Sequence, residues 1–109
     1  MTDKEQLELA AKAAGIEGGL VGDVFALDWA DEQDYWNPLT DDGDALRLAV
    51  KLNLIVGAYG SYVSVCRTFA PKVDYQDEIT VWHSEVNNDT YAATRRAIVR
   101  AAAEIGKTL

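Results

Sequence analysis

Apolar residues recur along the chain with two different periods. Near the start Leu7, Ala10, Ala11 and Ala14 fall on one stripe with Leu9 beside it, the spacing of a helix that buries one side. Thr2 or Asp3 is placed to cap that helix, Glu5 and Gln6 lie in its first turn, and Gly15 closes it. The stripe is rich in alanine, so a neighbour can approach it closely. A second helix is expected to begin between Pro38 and Asp44, because proline sacrifices no hydrogen bond in a first turn. Leu46, Ala49, Val50 and Asn53 would mark its inner face, with Leu48 and Leu52 beside them and Arg47 and Lys51 outward. Asn53 is expected to end it. The last helix is the plainest. Asn88 or Asp89 caps it, Tyr91, Ile98, Ala102 and Ile105 line one face with Val99 at its edge, and Gly106 weakens its end.

Between the second and last helices the period changes to two. Residues 54–59 and 62–69 flank Gly60-Ser61, a two-residue break that suits a tight hairpin. Tyr62, Ser64 and Cys66 alternate there with Val63, Val65 and Arg67. Residues 71–77 read as a polar loop and residues 78–85 (EITVWHSE) as a third strand, with Ile79, Val81 and His83 on one face and Thr80, Trp82 and Ser84 on the other. Earlier in the chain Gly18-Gly19 makes a break. Residues 21–29 alternate weakly, which fits a strand or an irregular packed segment, and residues 31–37 (DEQDYWN) read as an acidic, aromatic surface loop. These faces are buried most simply by an α+β fold in which an antiparallel sheet of about three to four strands packs between helices.

Composition narrows the function classes. A chain of 109 residues suits a single domain with one core. With 10 basic and 18 acidic residues the net charge is −8, so direct binding to nucleic acid is disfavoured. No apolar run approaches the roughly 20 residues of a membrane-spanning helix, and the opening MTDKEQ lacks the basic flank and apolar stretch of a secretory signal. The lone Cys66 cannot form an internal disulfide, which fits a reducing cytoplasm. The charge is uneven. Residues 1–45 carry 12 acids against 2 bases (−10), residues 46–89 carry 5 against 4 (−1), and residues 90–109 carry 1 against 4 (+3). The acidic half and the basic last helix are therefore expected to attract each other, within one chain or between two.

Three strings carry a family resemblance: LELAAKAAG at residues 7–15, WNPLTDDGDALRLAVKL at 36–52, and the stretch at 91–107 containing AATRRAIVRAAAEIGK. They resemble the phage ABA sandwich domain family, small proteins encoded by tailed phages and prophages. The resemblance fades through residues 55–85. It implies an α-β-α sandwich and no established activity.

Each candidate for chemistry has a plainer alternative. The carboxylates Asp31, Glu32, Asp34, Asp41, Asp42 and Asp44 superficially suggest a cation loop. The alternating ligands and distal glutamate of a calcium hand are missing, and helix capping explains the last three. His83 and Cys66 could in principle act as base and nucleophile. A strand histidine and a small buried thiol account for them as well. No phosphate loop, HExxH helix or paired-cysteine spacing occurs, so neither an enzyme nor a cofactor is expected. Trp29, Tyr35 and Trp36 cluster around the acidic loop. They could form a contact surface, or Trp36 could pin the loop to the core. Arg95 falls inside the apolar stripe of the last helix and so needs a carboxylate partner or a stem that reaches water. Asp41, Asp42 and Asp44 are the candidates, with Arg95–Asp44 the expected structural ion pair.

The resulting expectation is a phage accessory protein that binds a protein partner in the host bacterial cytoplasm through Asp31, Glu32, Asp34, Tyr35, Trp36, Asp41 and Asp42. The sharper form is an inhibitor of a host defence or nucleic-acid-handling complex. The alternative is a self-associating homodimer held by its opposite charges, and a small enzyme ranks third.

Overall fold

Alanine decides how the helices of this protein meet. In the computed structural model, which describes residues 2–21, 24–27, 35–69 and 72–109 (without the side chains of 20, 21, 24, 27, 68, 69 and 72–77), helix α1 (Asp3–Ala14) lies against α3 (Thr90–Lys107). Ala10, Ala11 and Ala14 of α1 and Ala93, Ala97, Ala101, Ala102 and Ala103 of α3 are all buried. At the closest point the two backbones touch. A Cβ built on Gly106 would stand 2.1 Å from the carbonyl oxygen of Leu9 and 2.8 Å from its carbon. Gly106 therefore permits the packing and does not simply weaken the helix end.

The caps follow the residue types. Thr2 accepts from the Glu5 amide, and Gly15 closes α1 in the left-handed conformation at φ 71°. Asp89 caps α3 through the amides of Tyr91 and Ala92. Helix α2 (Asp42–Lys51) starts after the expected proline. Residues 38–40 form a turn in which Asn37 O accepts from the amides of Thr40 and Asp41, and Asp41 becomes the cap. The inner face of α2 is Ala45, Leu48 and Ala49, while Leu46 and Val50 are exposed. The inner face is therefore rotated from the expected one: Ala49 and Leu48 are buried as expected, Ala45 joins them, and Leu46 and Val50 turn to solvent. Tyr91 is likewise exposed, two residues before Ala93, the first buried position of α3.

The chain adopts the expected α+β class, with two antiparallel three-stranded sheets. In the first, β2 (Val24–Leu27) lies between β1 (Gly18–Val21) and β3 (Tyr35–Trp36). This sheet touches α1. In the second, β5 (Tyr62–Phe69) lies between β4 (Leu54–Ala58) and β6 (Lys72–Trp82). Val63, Val65 and Val81 form its fully buried face, and α3 lies along β5 and β6. Helices α1 and α2 stack on α3, not on the far face of the sheet, so the helices gather on one side of it.

In the second sheet two strand expectations are corrected. Residues 72–77 belong to β6, pairing Asp74 with Arg67, Val73 with Thr68 and Lys72 with Phe69. A register shift between Val65 and Arg67 separates this stretch from the pairs that run from Tyr62–Trp82 to Val65–Ile79. The ladder uses backbone groups, which polar residues carry as well as apolar ones. At the other end β6 stops at Trp82, and residues 83–86 form a short 3-10 helix. Asn87 at φ 56° allows the reversal, the Asn88 amide donates to His83 O at 2.8 Å, and Glu85 accepts from the Trp82 amide at 2.8 Å. His83 is therefore buried at a helix start, not half-exposed on a strand.

Ion pairs tie α3 to its surroundings. Arg96 reaches Asp3 at 2.9 Å and Arg100 reaches Glu85 at 3.4 Å. The hydrogen bond from Arg96 holds the Asp3 carboxyl below its ordinary value of 3.8, with the charges of Arg96 and Arg100 adding to it against partial burial. Glu85 lies below its ordinary 4.5, first through the Trp82 amide and then through Arg100.

Two predictions follow from this packing. Gly106→Ala should lower stability by about 1–3 kcal/mol, read as the urea midpoint, whereas Gly60→Ala, which meets nothing within 4 Å, should leave it unmoved. Because both carboxyls have depressed folded values, their contribution is complete above the unfolded values and lost as pH falls through the folded ones. The midpoint should hold from neutral pH to about 5 and then decline. Asp3→Asn should lower it at neutral pH and flatten the acid slope.

Candidate functional site

The period-two alternation of β5 and β6 sends one set of side chains toward α3 and the other to the open face. Across the pair, Tyr62 stands opposite Trp82 and Ser64 opposite Thr80. The hairpin adds a third ring. The Tyr59 amide donates to Tyr62 O at 2.9 Å, which sets these two residues side by side at the turn. Tyr59 and Tyr62 stack with centroids 4.9 Å apart, and Tyr62 and Trp82 lie 5.1 Å apart at a tilt of 50°. Gly57 makes room for this row, because a Cβ there would come within 2.9 Å of the Tyr59 ring. Tyr59 is 54% and Trp82 51% exposed. Beside the rings, the Ser64 hydroxyl donates to Glu78 at 2.5 Å. The result is a row of three aromatic rings bordered by hydroxyls and a carboxylate, on a sheet whose other face is core.

The residues singled out in sequence are used differently. Asp31, Glu32 and Asp34 lie outside the described residues, as does Trp29. Tyr35 is exposed on β3, but Trp36 is 6% exposed and meets Phe25 edge-on at 5.6 Å, so it pins its strand to the core. Asp41 caps α2 by accepting from the Asp44 amide. The ion pair of Arg95 is with Asp42, at 2.6 Å, and not with Asp44. Asp44 instead accepts from the Asn37 amide at 3.0 Å and pairs with Arg47 at 2.8 Å. Arg95 also donates from Nε to Leu39 O at 2.8 Å, which satisfies a carbonyl of the turn before the helix. Asp41, Asp42 and Asp44 thus build the entry to α2, where the side chains of Asp41 and Asp42 remain exposed.

Cys66 and His83 do not meet. His83 is paired through its amide with Ser61, and Cys66 lies five residues further along the strand, about 16 Å away. Among the described residues no group of His, Cys, Asp and Glu could hold a metal ion. A separate groove of about 440 Å³ runs between the end of α1 and α2, lined by Ile16, Trp36 and Leu48 with Asp44, Arg47 and Lys51. Its arginine is already engaged by Asp44. The aromatic row was missed in sequence because its members are spread over a turn and two strands. The available signal was that Tyr62 and Trp82 occupy the faces opposite the valines.

The turn that Arg95 holds gives a prediction. Arg95→Met should cost about 1–3 kcal/mol in urea unfolding, because it strands a partly buried carbonyl. Asp42→Asn, removing only the exposed half of the pair, should cost less than about 1 kcal/mol.

Among the described residues no helix is long and apolar enough to cross a membrane. Compared with the models of known families, with curated proteins and with solved structures, the chain finds no match in any of the three.

Proposed function

We propose that this protein is a non-enzymatic binding domain that engages a protein partner through the ring row of Tyr59, Tyr62 and Trp82. The observation that carries the reading is that Tyr62 packs between Tyr59 and Trp82 on the open face of the sheet while those two outer rings stay about half exposed. Each such ring can bury roughly 150–250 Å², and truncating an aromatic anchor commonly costs about 2 kcal/mol or more of binding. The resemblance to phage proteins supports a partner in the bacterial host. The net charge of −8 supports a partner with a basic surface, such as a nucleic-acid-handling complex, and inhibition of such a complex is the activity this reading implies.

The test is affinity capture from bacterial lysate with washes at low and moderate salt. The expected result is a partner held by the wild type and by Tyr35→Ala, weakened about thirtyfold or more by Trp82→Ala, and released by moderate salt as charge contacts are screened. A partner lost with Tyr35→Ala and kept by Trp82→Ala would move the surface to the acidic loop and sink the aromatic reading.

A further inference from the structure

The outermost strand of the second sheet is β4, with sequence LIVGA at residues 54–58. Natural edge strands usually carry a charge, a proline or a bulge that discourages another strand from pairing with them. This one has none of these. The register shift of the sheet lies on the β5–β6 side, and Ile55 and Val56 are 41% and 37% exposed. The opposite edge, β6, has Lys72, Asp74, Asp77 and Glu78 in its sequence, so only one of the two edges lacks such protection.

The register fixes which backbone groups β4 offers. Tyr59 and Tyr62 form a hydrogen-bonded pair. Antiparallel pairs alternate between bonded and unbonded, so Gly57–Ser64 and Ile55–Cys66 are bonded, and the pairs of Leu54, Val56 and Ala58 are not. The amides and carbonyls of Leu54, Val56 and Ala58 therefore point away from the sheet. They form an odd-numbered set with Val56 at its centre. A twofold axis through Val56 sets Leu54 opposite Ala58 of a second copy and Val56 opposite its own equivalent, which joins every outward group in about six hydrogen bonds. The same axis sets Ile55 opposite Gly57 of the second copy, at the close spacing of an unbonded pair. Gly57 has no side chain and the Tyr59 ring lies over it, so a large apolar residue meets an aromatic ring.

We infer that β4 is the docking edge for a second copy of this chain, giving a symmetric dimer with one continuous six-stranded sheet. The occupant is identified by the self-complementarity of the strand: outward groups arranged about Val56, Ile55 set against the Tyr59 ring that lies over Gly57, and no charge to repel an identical edge. Leu46 and Val50 add exposed apolar surface on α2, the helix that packs beside β4.

The experiment is sedimentation equilibrium of the full chain over a wide concentration range. The wild type should approach twice the 11.9 kDa of one chain. Val56→Pro removes an outward amide and no hydrogen bond to β5, and Ile55→Lys supplies the missing charge. Each should weaken the dimer at least about tenfold with an unchanged far-ultraviolet circular dichroism spectrum. A wild type monomeric at every concentration, an assembly larger than two chains, or a dimer undiminished in both variants would overturn the inference. Loss of a partner with Trp82→Ala and loss of the dimer with Val56→Pro are separate readouts, so either proposal can fail without the other.

Discussion

The contact of two helix backbones at Gly106 and Leu9 sets the terms for the rest of the molecule. Helices packed through alanine approach closely and gain dispersion contacts, but each alanine removes little apolar surface from water. The larger apolar groups of α3, Ile98 and Val99, are buried as well, and α3 also runs along β5 and β6. One helix thus serves a narrow interface with α1 and a bulkier one with the valines of the sheet. Substituting any residue with a side chain at Gly106 would act on both, because α3 cannot move away from α1 without moving on the sheet.

That arrangement explains where the arginines go. Arg95, Arg96 and Arg100 each leave α3 for a different neighbour: the turn before α2, the start of α1, and the 3-10 helix after β6. The pairs are partly exposed, so each is worth at most about 1 kcal/mol. Their larger effect is on charge. The surplus of bases in the last 20 residues is matched within the chain, which leaves few cations on α3 to hold the acidic half of another copy. Charge matching between protomers therefore has little to work with, whereas an uncharged strand edge needs none.

Much of this was legible in residue types whose chemistry is local. Thr2, Gly15 and Asp89 act as the caps their side chains suggest, and Gly60-Ser61 turns the hairpin between the expected strands. What was not legible depends on neighbours. Leu46 and Val50 outweigh Ala45 and Ala49 on any hydrophobic scale, yet the alanines are buried because α3 is close. Polar residues 72–77 extend β6 because β5 offers a backbone ladder. Arg95 was expected to find a carboxylate near the start of α2, and it does. The choice of Asp42 over Asp44 turned on the Asn37 amide, which no spacing rule identifies. The aromatic row could not be read as a unit, since its three rings come together only when the register of two hairpins is known.

The open face and the open edge belong to the same small sheet. Three strands packed on helices are near the minimum for an independently stable sheet. The tyrosine stack is fixed from below by the absence of a side chain at Gly57 and from the side by Trp82. Rings held in this way have already lost much of the rotamer freedom that ordering on binding would otherwise cost, typically about 0.5–1.5 kcal/mol per side chain. An aromatic row that stabilised only the monomer would be expected to turn its rings inward or to be covered. Here the rings are ordered by their own neighbours while half of the surface of the outer two stays in water. Pre-ordered rings are the kind of surface that makes association less costly in entropy, which is why the face, more than the acidic helix entry, carries the functional reading.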